Sequence, residues 1–270
     1  MILNETNSSA RRRLSSGACG MSVMCCMIAL SAVTQLGLGQ MGSGRTAAAR
    51  MQEVPAMELD GLHPRLSAFL QARALEFGEI SSERRAALEQ ISAYVESRIR
   101  SDAPVRLLFV CTHNSRRSHM SQLWAAAAGE AYGLTLATYS GGTEDTAFNP
   151  RAVAAVERAG FDIEKTTGGT NPIYHVRMGE AITPMTCFSK AYDGAPNPKH
   201  GFGAVMVCTE ADEACPFVEG ATGRFALPFV DPKISDNTGR EAATYDERCA
   251  QIAREMLYIM SRVGNEVKDG

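Results

Sequence analysis

Hydrophobic residues follow two different spacings along the chain, and the first of them is helical. In "SSERRAALEQISAYVESRIR" the apolar side chains recur three or four positions apart, so that one helix face carries Leu88, Ile91, Val95 and Ile99. Ser81 or Ser82 is suited to cap this helix at its start. A preceding helix from Leu62 to about Phe77 completes a predicted helical hairpin over residues 59–103.

From Pro104 onward, short continuous apolar runs alternate with helix-prone stretches. Such runs are typical of strands that are buried on both faces of a parallel sheet. The predicted order is strand "VRLLFVC", helix "RSHMSQLWAAAAGEAYG", strand "LTLATYS", helix "NPRAVAAVERAGF", strand "FGAVMVC", weaker strand "GRFALPFV" and closing helix "EAATYDERCAQIAREMLYIMSRV". Residues 165–200 are rich in proline and glycine and are predicted to form an insertion loop.

Strands that alternate with helices favour right-handed crossovers and an α/β fold, here a small doubly wound, four-stranded parallel sheet. Binding sites of such sheets lie at the carboxyl ends of the strands, and Cys111, Ser140 and Cys208 each end a predicted strand. The predicted organisation is therefore a leader or disordered arm over residues 1–58, the helical hairpin, and an α/β domain over residues 104–270.

Composition excludes some classes of protein. The chain has 270 residues and a formal charge of −3, so it lacks the basic footprint of a nucleic-acid-binding protein. Its eight cysteines form no CxxC pair and lack the dense spacing of a secreted disulfide scaffold. This usage favours the cytoplasm, with some thiols used for chemistry.

The N-terminus complicates the expected location. Residues 11–40 open with three arginines and continue through the uncharged "MSVMCCMIALSAVTQLGLG", a pattern typical of an export signal or a weak membrane anchor. A translational start further along, at Met41, Met51 or Met57, is the alternative. A membrane is an expected partner only if this segment is a real anchor.

The stretch "CTHNSRRS" carries the strongest candidate chemistry. A thiol that precedes Arg-Ser by five residues, at a strand-to-helix turn, can hold a tetrahedral oxyanion in a nest of backbone N–H groups at the helix start. The same field favours the nucleophilic thiolate of Cys111. Arg117 can present a two-pronged fork to the anion, and Ser118 can donate a hydrogen bond to the cysteine sulfur. Asn114 tolerates the left-handed backbone of a tight loop.

Together with "YSGGTEDTAFNPRAVAAVERAGFDI", this loop resembles the low-molecular-weight protein tyrosine phosphatase superfamily, and within it the thioredoxin-coupled arsenate reductases. The resemblance covers roughly Val105 to Val263. It implies that Cys111 is the nucleophile and that the oxyanion is bound by loop residues Thr112, His113, Asn114, Ser115, Arg116 and Arg117. His113 departs from the family's usual glycine and Arg116 from a frequent cysteine, and the Arg116 side chain has no role assigned beyond its place in the loop.

The resemblance also implies a redox pair in "VMVCTEADEACPF", where Cys208 ends a strand and Cys215 follows. Cys111 would attack arsenate, Cys208 would attack Cys111 and expel arsenite, and Cys215 would attack Cys208. A thioredoxin-like reductant would then reduce the 208–215 disulfide. If residues 209–215 are helical, the two Cα atoms lie roughly 10 Å apart. A disulfide requires about 4.4 to 6.8 Å, so the helix must unwind before the pair can close.

"PFVDPKISDNTG" contains Asp231-Pro232, which matches the family's Asp-Pro general acid, with Asp236 as a fallback. A proton donor is needed because the departing oxygen is a poor leaving group as an anion. The family's tyrosine phosphatases usually place aromatic residues directly after this pair, whereas here the following residues are Lys233, Ile234 and Ser235. This difference favours a small inorganic oxyanion over an aromatic phosphoester.

No cofactor and no metal are predicted. The histidines show no zinc-ligand spacing with the cysteines. Some arsenate reductases of this family bind potassium near the loop asparagine. Asn114 and Ser140 match that site, but Gln122 replaces its usual acid, so potassium is not predicted. Cys187 and Cys249 are interpreted as buried or incidental thiols.

Three functions stay open at this point. The first is an arsenate reductase that requires all three cysteines. The second is a phosphatase that hydrolyses phosphoesters through a cysteinyl-phosphate and is indifferent to Cys208 and Cys215. The third is a noncatalytic module that binds an oxyanion or a phosphoprotein.

Overall fold

The computed structural model describes residues 56–268, with side chains as far as residue 263. Most of the predicted N-terminal arm, including the signal-like residues 11–40, lies outside the described residues. Among the helices that are described, none is long and apolar enough to cross a membrane.

A parallel sheet forms the centre of the molecule. The described strands are β1 (Arg106–Cys111), β2 (Ala137–Gly142), β3 (Asp162–Lys165), β4 (Tyr174–Arg177), β5 (Met185–Cys187), β6 (Phe202–Met206) and β7 (Ala221–Ala226). Four of them pair in the order β2-β1-β6-β7, with all neighbours parallel. The predicted four-stranded, doubly wound sheet is confirmed. β1 lies inside this sheet, which explains why its run of apolar residues is unbroken.

Helices cover the sheet. They are α1 (Pro64–Ala74), α2 (Ser82–Arg100), α3 (Arg117–Ala131), α4 (Pro150–Ala159), α5 (Thr209–Ala214) and α6 (Glu241–Lys268). The long α6 packs against α1, α2, α3 and α4, so it links the N-terminal helices to the rest of the core. The core contains Trp124 of α3, whose ring stacks on Phe69 of α1 with centroids 5.1 Å apart.

The start and buried face of α2 follow from the sequence. The Ser81 hydroxyl accepts a hydrogen bond from the Arg84 amide at 3.2 Å, which confirms one of the two predicted caps. Leu88, Ile91 and Val95 are fully buried on one face. Burying each of these side chains contributes about 1.5–3 kcal/mol.

The prediction that residues 165–200 form an insertion loop is wrong in part. The segment contains β4 and β5, which form a separate antiparallel sheet with β3 in the order β3-β4-β5. These strands are only three or four residues long. β4 alternates between buried and half-buried residues, but four residues are too few for that pattern to predict a strand. The segment that follows β5 bonds to the end of β2 and to the loop that follows β1, so it contributes to the candidate site.

The second strand of the central sheet begins and ends later than predicted, and it includes Gly142. A Cβ atom at Gly142 would lie 2.7 Å from both the Asn114 nitrogen and the Thr112 oxygen. Glycine is therefore required where β2 runs beside the cysteine loop.

Candidate active site

Asn114 holds the loop between β1 and α3 in shape. Its φ of 43° is left-handed, as expected from the sequence. Its side chain is fully buried, and its amide nitrogen donates to the Ser118 hydroxyl at 2.8 Å. Its amide oxygen accepts from the Lys190 backbone N–H at 2.9 Å. The loop is thus fixed both to its own helix and to the segment after β5.

The Cys111 sulfur lies 3.1 Å from the Ser118 hydroxyl oxygen. Because that oxygen already accepts from Asn114, its own proton is free to be donated to the sulfur. A donated hydrogen bond of this kind stabilises negative charge on sulfur. The chain Asn114–Ser118–Cys111 therefore suits a nucleophilic thiolate at the end of β1.

Arg117 joins the loop to the predicted general acid. Its guanidinium is 8% exposed and donates to the Phe229 carbonyl at 3.0 Å and to the Asp231 carboxylate at 2.9 Å. Asp231 also caps the 3-10 helix Pro232–Ser235 by accepting from the Lys233 amide at 3.0 Å. The fork of Arg117 is thus planar, buried and already engaged by oxygen acceptors, which an arriving oxyanion would replace.

The N-terminal helices also reach this region. Arg84 of α2 donates to the Pro228 carbonyl at 3.0 Å, and its guanidinium lies over the Phe229 ring at 4.7 Å. The same guanidinium pairs with Glu255 of α6 at 2.8 Å, and that carboxylate is almost fully buried. The segment that presents acceptors to Arg117 is therefore held from its other side by α2.

Cys208 lies beside the cysteine loop. It is fully buried, and its sulfur contacts the Thr112 hydroxyl at 3.5 Å and the Ala211 amide at 3.3 Å. Burial raises the pKa of the Cys208 thiol, the contacts with Thr112, Ala211 and Arg117 oppose this, and the nearby Cys111 adds to it. The prediction that Cys208 ends a strand is wrong, because β6 ends at Met206 and Cys208 caps the start of α5. The structure nevertheless brings Cys208 to the loop of Cys111.

Cys215 directly follows α5, the helix that Cys208 directly precedes, and it is partly buried. The segment between the two cysteines is helical over Thr209–Ala214, so the condition under which the pair lies too far apart to close is met. Arg224 of β7 anchors it, because the guanidinium donates to the Cys215 carbonyl at 3.0 Å and to both the backbone and the side chain of Asp212. Any approach of Cys215 to Cys208 must break these bonds along with those of α5.

The remaining predicted loop residues differ in their surroundings. The Thr112 and Ser115 carbonyls accept backbone hydrogen bonds from the segment between β2 and α4. His113 is exposed and lies 3.6 Å from the Glu144 carboxylate. The Arg116 side chain is bonded to Tyr245 and Asp236, at 2.8 and 3.3 Å. Asp236, the fallback acid, is therefore already paired.

Sequence reasoning missed Lys190, which is 7% exposed. Its ammonium donates to the Phe188 carbonyl at 3.2 Å and lies 4.8 Å from the Phe188 ring centre. Burial lowers the pKa of Lys190 to about 8, and burial also raises the pKa of the nearby Cys187 thiol to about 12. No sequence signal marked this lysine, because the segment that carries it has no clear periodicity.

Replacing Lys190 with methionine should stabilise the protein near neutral pH. A pKa lowered from 10.5 to about 8 corresponds to about 3 kcal/mol of unfavourable burial. The lost bond to Phe188 reduces the expected gain in the free energy of unfolding to about 1–2 kcal/mol at pH 7. Above pH 8 the folded chain releases the proton while the unfolded chain keeps it, so the wild type gains stability up to about pH 10.5.

Urea unfolding of Lys190→Met and wild type at pH 7 and pH 10 measures this. The difference in the free energy of unfolding should shrink at the higher pH. A variant that is less stable at pH 7, or a difference that is independent of pH, would contradict the assignment.

The residues that match a potassium site, and Gln122 beside them, are hydrogen-bonded to protein groups. The Asn114 amide oxygen is occupied by the Lys190 amide, and the Ser140 hydroxyl contacts His119 Nδ1 at 3.2 Å. The Gln122 amide donates to the Thr138 carbonyl at 3.1 Å. Over residues 56–268, no group of three or more histidine, cysteine or acidic side chains could hold a metal ion.

Comparisons with known proteins give significant sequence relatives. An arsenate reductase of Bacillus licheniformis is 28% identical over 160 residues, which cover 58% of this chain and 96% of that protein. An arsenate reductase of Bacillus subtilis is 24% identical over 163 residues, covering 60% of this chain and 92% of that protein. These sequence relatives confirm the predicted resemblance and, with it, that the chain is an enzyme. No protein-family model matches the chain.

Solved structures give a weaker likeness. A low-molecular-weight phosphotyrosine phosphatase of Vibrio cholerae aligns with a TM-score of 0.41 at 14% identity, covering 62% of this chain and 99% of that one. An arsenate reductase of Archaeoglobus fulgidus aligns with a TM-score of 0.37 at 16% identity, covering 57% of this chain and 98% of that one.

Proposed function

We propose that this enzyme, a relative of the arsenate reductases in the low-molecular-weight phosphatase superfamily, reduces arsenate to arsenite through a relay of three cysteines. The observation that carries the proposal is the position of Cys208, which is buried against Thr112 of the loop that Cys111 begins. Cys215 at the far end of α5 supplies the third thiol.

The first step forms a bond between sulfur and arsenic. The Cys111 thiolate attacks arsenate that is held by the loop N–H groups and the Arg117 fork. Asp231, which lies 2.9 Å from Arg117, gives a proton to the departing oxygen, which leaves as water. The product is a Cys111–arsenate adduct in which arsenic is still pentavalent.

The second step transfers the electrons. The Cys208 thiolate attacks the Cys111 sulfur, and the electron pair of the sulfur–arsenic bond moves to arsenic. Arsenic is reduced by two electrons and leaves as arsenite, while the two sulfurs are oxidised to a 111–208 disulfide. Burial of Cys208 beside Thr112 supports this pairing, because the attack requires the two sulfurs to approach each other.

The third step returns the nucleophile. The Cys215 thiolate attacks the Cys208 sulfur, which frees the Cys111 thiolate and leaves a 208–215 disulfide. This exchange requires α5 to unwind and Arg224 to release it. A thioredoxin-like dithiol would then reduce the disulfide and become oxidised itself. Such a reductant is expected in the cytoplasm, where we propose that the enzyme acts.

Phosphoester hydrolysis is a second candidate function. Ser118 contacts Cys111, and Asp231 accepts from Arg117. Neither of these contacts involves Cys208 or Cys215. These groups suffice to form a cysteinyl-phosphate and to protonate an alcohol leaving group. The apolar Ile234 beside the acid is 76% exposed, but it offers no aromatic face for a phenyl ring.

A single-turnover experiment on the wild type tests the proposal. Reduced enzyme mixed with arsenate, without any reductant, should release one arsenite per chain and acquire a disulfide that peptide mass spectrometry assigns to Cys208 and Cys215. Addition of thioredoxin, thioredoxin reductase and NADPH should restore turnover. A chain that hydrolyses para-nitrophenyl phosphate but yields no arsenite would refute the reductase and support the phosphatase.

The pH dependence of arsenite release should follow Cys208. Since burial raises the pKa of this thiol above 9.0, its thiolate fraction rises about tenfold for each pH unit between 6 and 8. Rapid-quench measurement of arsenite release should show that rise, whereas hydrolysis of para-nitrophenyl phosphate, which does not use Cys208, should lack it. Arsenite release that is flat over this range would contradict Cys208 as the attacking thiol.

A further inference from the structure

The two residues that flank the 3-10 helix Pro232–Ser235 are bonded to two adjacent arginines of the cysteine loop. Asp231 precedes this helix and accepts from Arg117 at 2.9 Å. Asp236 follows the helix and accepts from Arg116 at 3.3 Å. The loop that would bind the oxyanion and the segment that would supply the proton are therefore tied together twice.

We infer that Arg116 is a positioning residue, which holds the acid segment in place through Asp236 and Tyr245 while Arg117 is engaged by the oxyanion. The inference rests on the proposed function of the site, because Asp231 acts as the acid there. It gives a role to a residue that departs from the expected loop sequence.

Arg116, Tyr245 and Asp236 form a closed ring of three hydrogen bonds. The Arg116 Nε donates to the Tyr245 hydroxyl at 2.8 Å, and that hydroxyl donates to Asp236 Oδ1 at 2.8 Å. Asp236 Oδ2 accepts from Arg116 Nη2. The phenol thus uses its one proton and one acceptor site, and both carboxylate oxygens are bonded. Arg116 and Asp236 are 13% and 17% exposed, so water screens their attraction only in part.

The closed cluster is anchored in the core. The Tyr245 ring is fully buried in the early turns of α6. Arg151 of α4 adds a bond to the Asn237 side chain at 2.9 Å and an ion pair with Glu241 at 2.7 Å. The end of the acid segment is therefore bonded to α4, α6 and the cysteine loop at once.

This arrangement matters when an anion binds. An oxyanion in the loop competes with Asp231 for the Arg117 fork, and Asp231 must leave that fork to act as an acid. With the first tie released, the tie through Arg116 remains. It keeps the acid close to the departing oxygen, where proton transfer requires hydrogen-bond distance.

Hydrogen exchange of the full chain tests the inference without reference to activity. The variants are Arg116→Met and Tyr245→Phe. The matched control is Arg158→Met, which removes a different ion pair between an arginine and α6, that of Arg158 with Asp246 at 2.6 Å. With saturating inorganic phosphate, amides of residues 234–238 should exchange about tenfold faster or more in Arg116→Met, through loss of charge-assisted bonds. The same amides should also exchange faster in Tyr245→Phe, whereas in Arg158→Met they should exchange at the wild-type rate.

Binding and leaving-group dependence separate positioning from other roles. Phosphate affinity of Arg116→Met should stay within about threefold of the wild type, because its guanidinium is bonded elsewhere. Phenyl phosphate has a poorer leaving group than para-nitrophenyl phosphate and depends more on the acid. In Arg116→Met its rate of hydrolysis, relative to that of para-nitrophenyl phosphate, should fall by about tenfold or more. Phosphate binding that falls more than tenfold, or exchange equal to the wild type, would overturn the inference. A wild type without reductase activity would refute the proposed function alone, since exchange and affinity are measured independently.

Discussion

Cys208→Ser is expected to lose all steady-state reduction of arsenate while its hydrolysis of para-nitrophenyl phosphate stays within about threefold of the wild type. Without a thiol at this position, nothing attacks the Cys111 adduct, and arsenic cannot receive the electron pair of the sulfur–arsenic bond. Serine is nearly the same size as cysteine and can keep the contact with the Thr112 hydroxyl, so the cysteine loop should retain its shape. Arsenite assay with thioredoxin, beside phosphoester hydrolysis, measures both activities.

Two further cysteine variants make this test specific. Cys215→Ser should still release one arsenite per chain, with a disulfide between Cys111 and Cys208, but it should not turn over. Cys249→Ala should keep both activities, because this buried thiol contacts the Trp124 N–H at 3.2 Å in the core and has no place in the relay. Steady-state arsenate reduction by Cys208→Ser would contradict the three-cysteine relay and would mean that arsenate is reduced by another mechanism.

The central sheet was predictable because its strands carry a local signal. β1 and β6 lie inside the sheet, so their residues are buried on both faces and read as unbroken apolar runs. The antiparallel sheet of β3, β4 and β5 has no such signal. Its strands are short, and their burial is set by contacts with other segments rather than by their own pattern. Secondary structure of this kind depends on the tertiary fold.

In the candidate site, too, contacts between residues close in sequence were predictable, and contacts between distant residues were not. The Cys111–Ser118 contact and the left-handed Asn114 lie within eight consecutive residues, and their spacing was sufficient to predict them. Arg116 bonds to Tyr245, which is 129 residues away in sequence, and no local pattern indicates such a partner. Lys190 is placed by the unpredicted segment after β5. Long-range partners of this kind emerge only when the strands and helices are assembled.

Arg117→Lys is expected to lower kcat/KM for arsenate by about 10²–10³-fold, the usual effect of removing one donor to a developing oxyanion. Arginine offers two parallel N–H groups in one plane, and here they point to two separate oxygens, those of Phe229 and Asp231. Lysine keeps the charge but offers a compact ammonium, which cannot bridge two oxygens in the same way. The loss should therefore exceed what charge alone explains, and it should appear for arsenate and para-nitrophenyl phosphate alike.

Kinetics of Arg117→Lys and of the control Arg158→Lys distinguish this role from general destabilisation. Arg158 also pairs through a guanidinium, with Asp246 at 2.6 Å, but the pair is about half exposed and lies between α4 and α6. Arg158→Lys should keep kcat/KM within about twofold, because exposed ion pairs contribute little. Both activities of Arg117→Lys should fall together, since they share the oxyanion loop, whereas Cys208→Ser should separate them. Near-wild-type kinetics in Arg117→Lys would mean that charge without the fork suffices, and the backbone N–H groups of the loop would then carry the recognition of the anion.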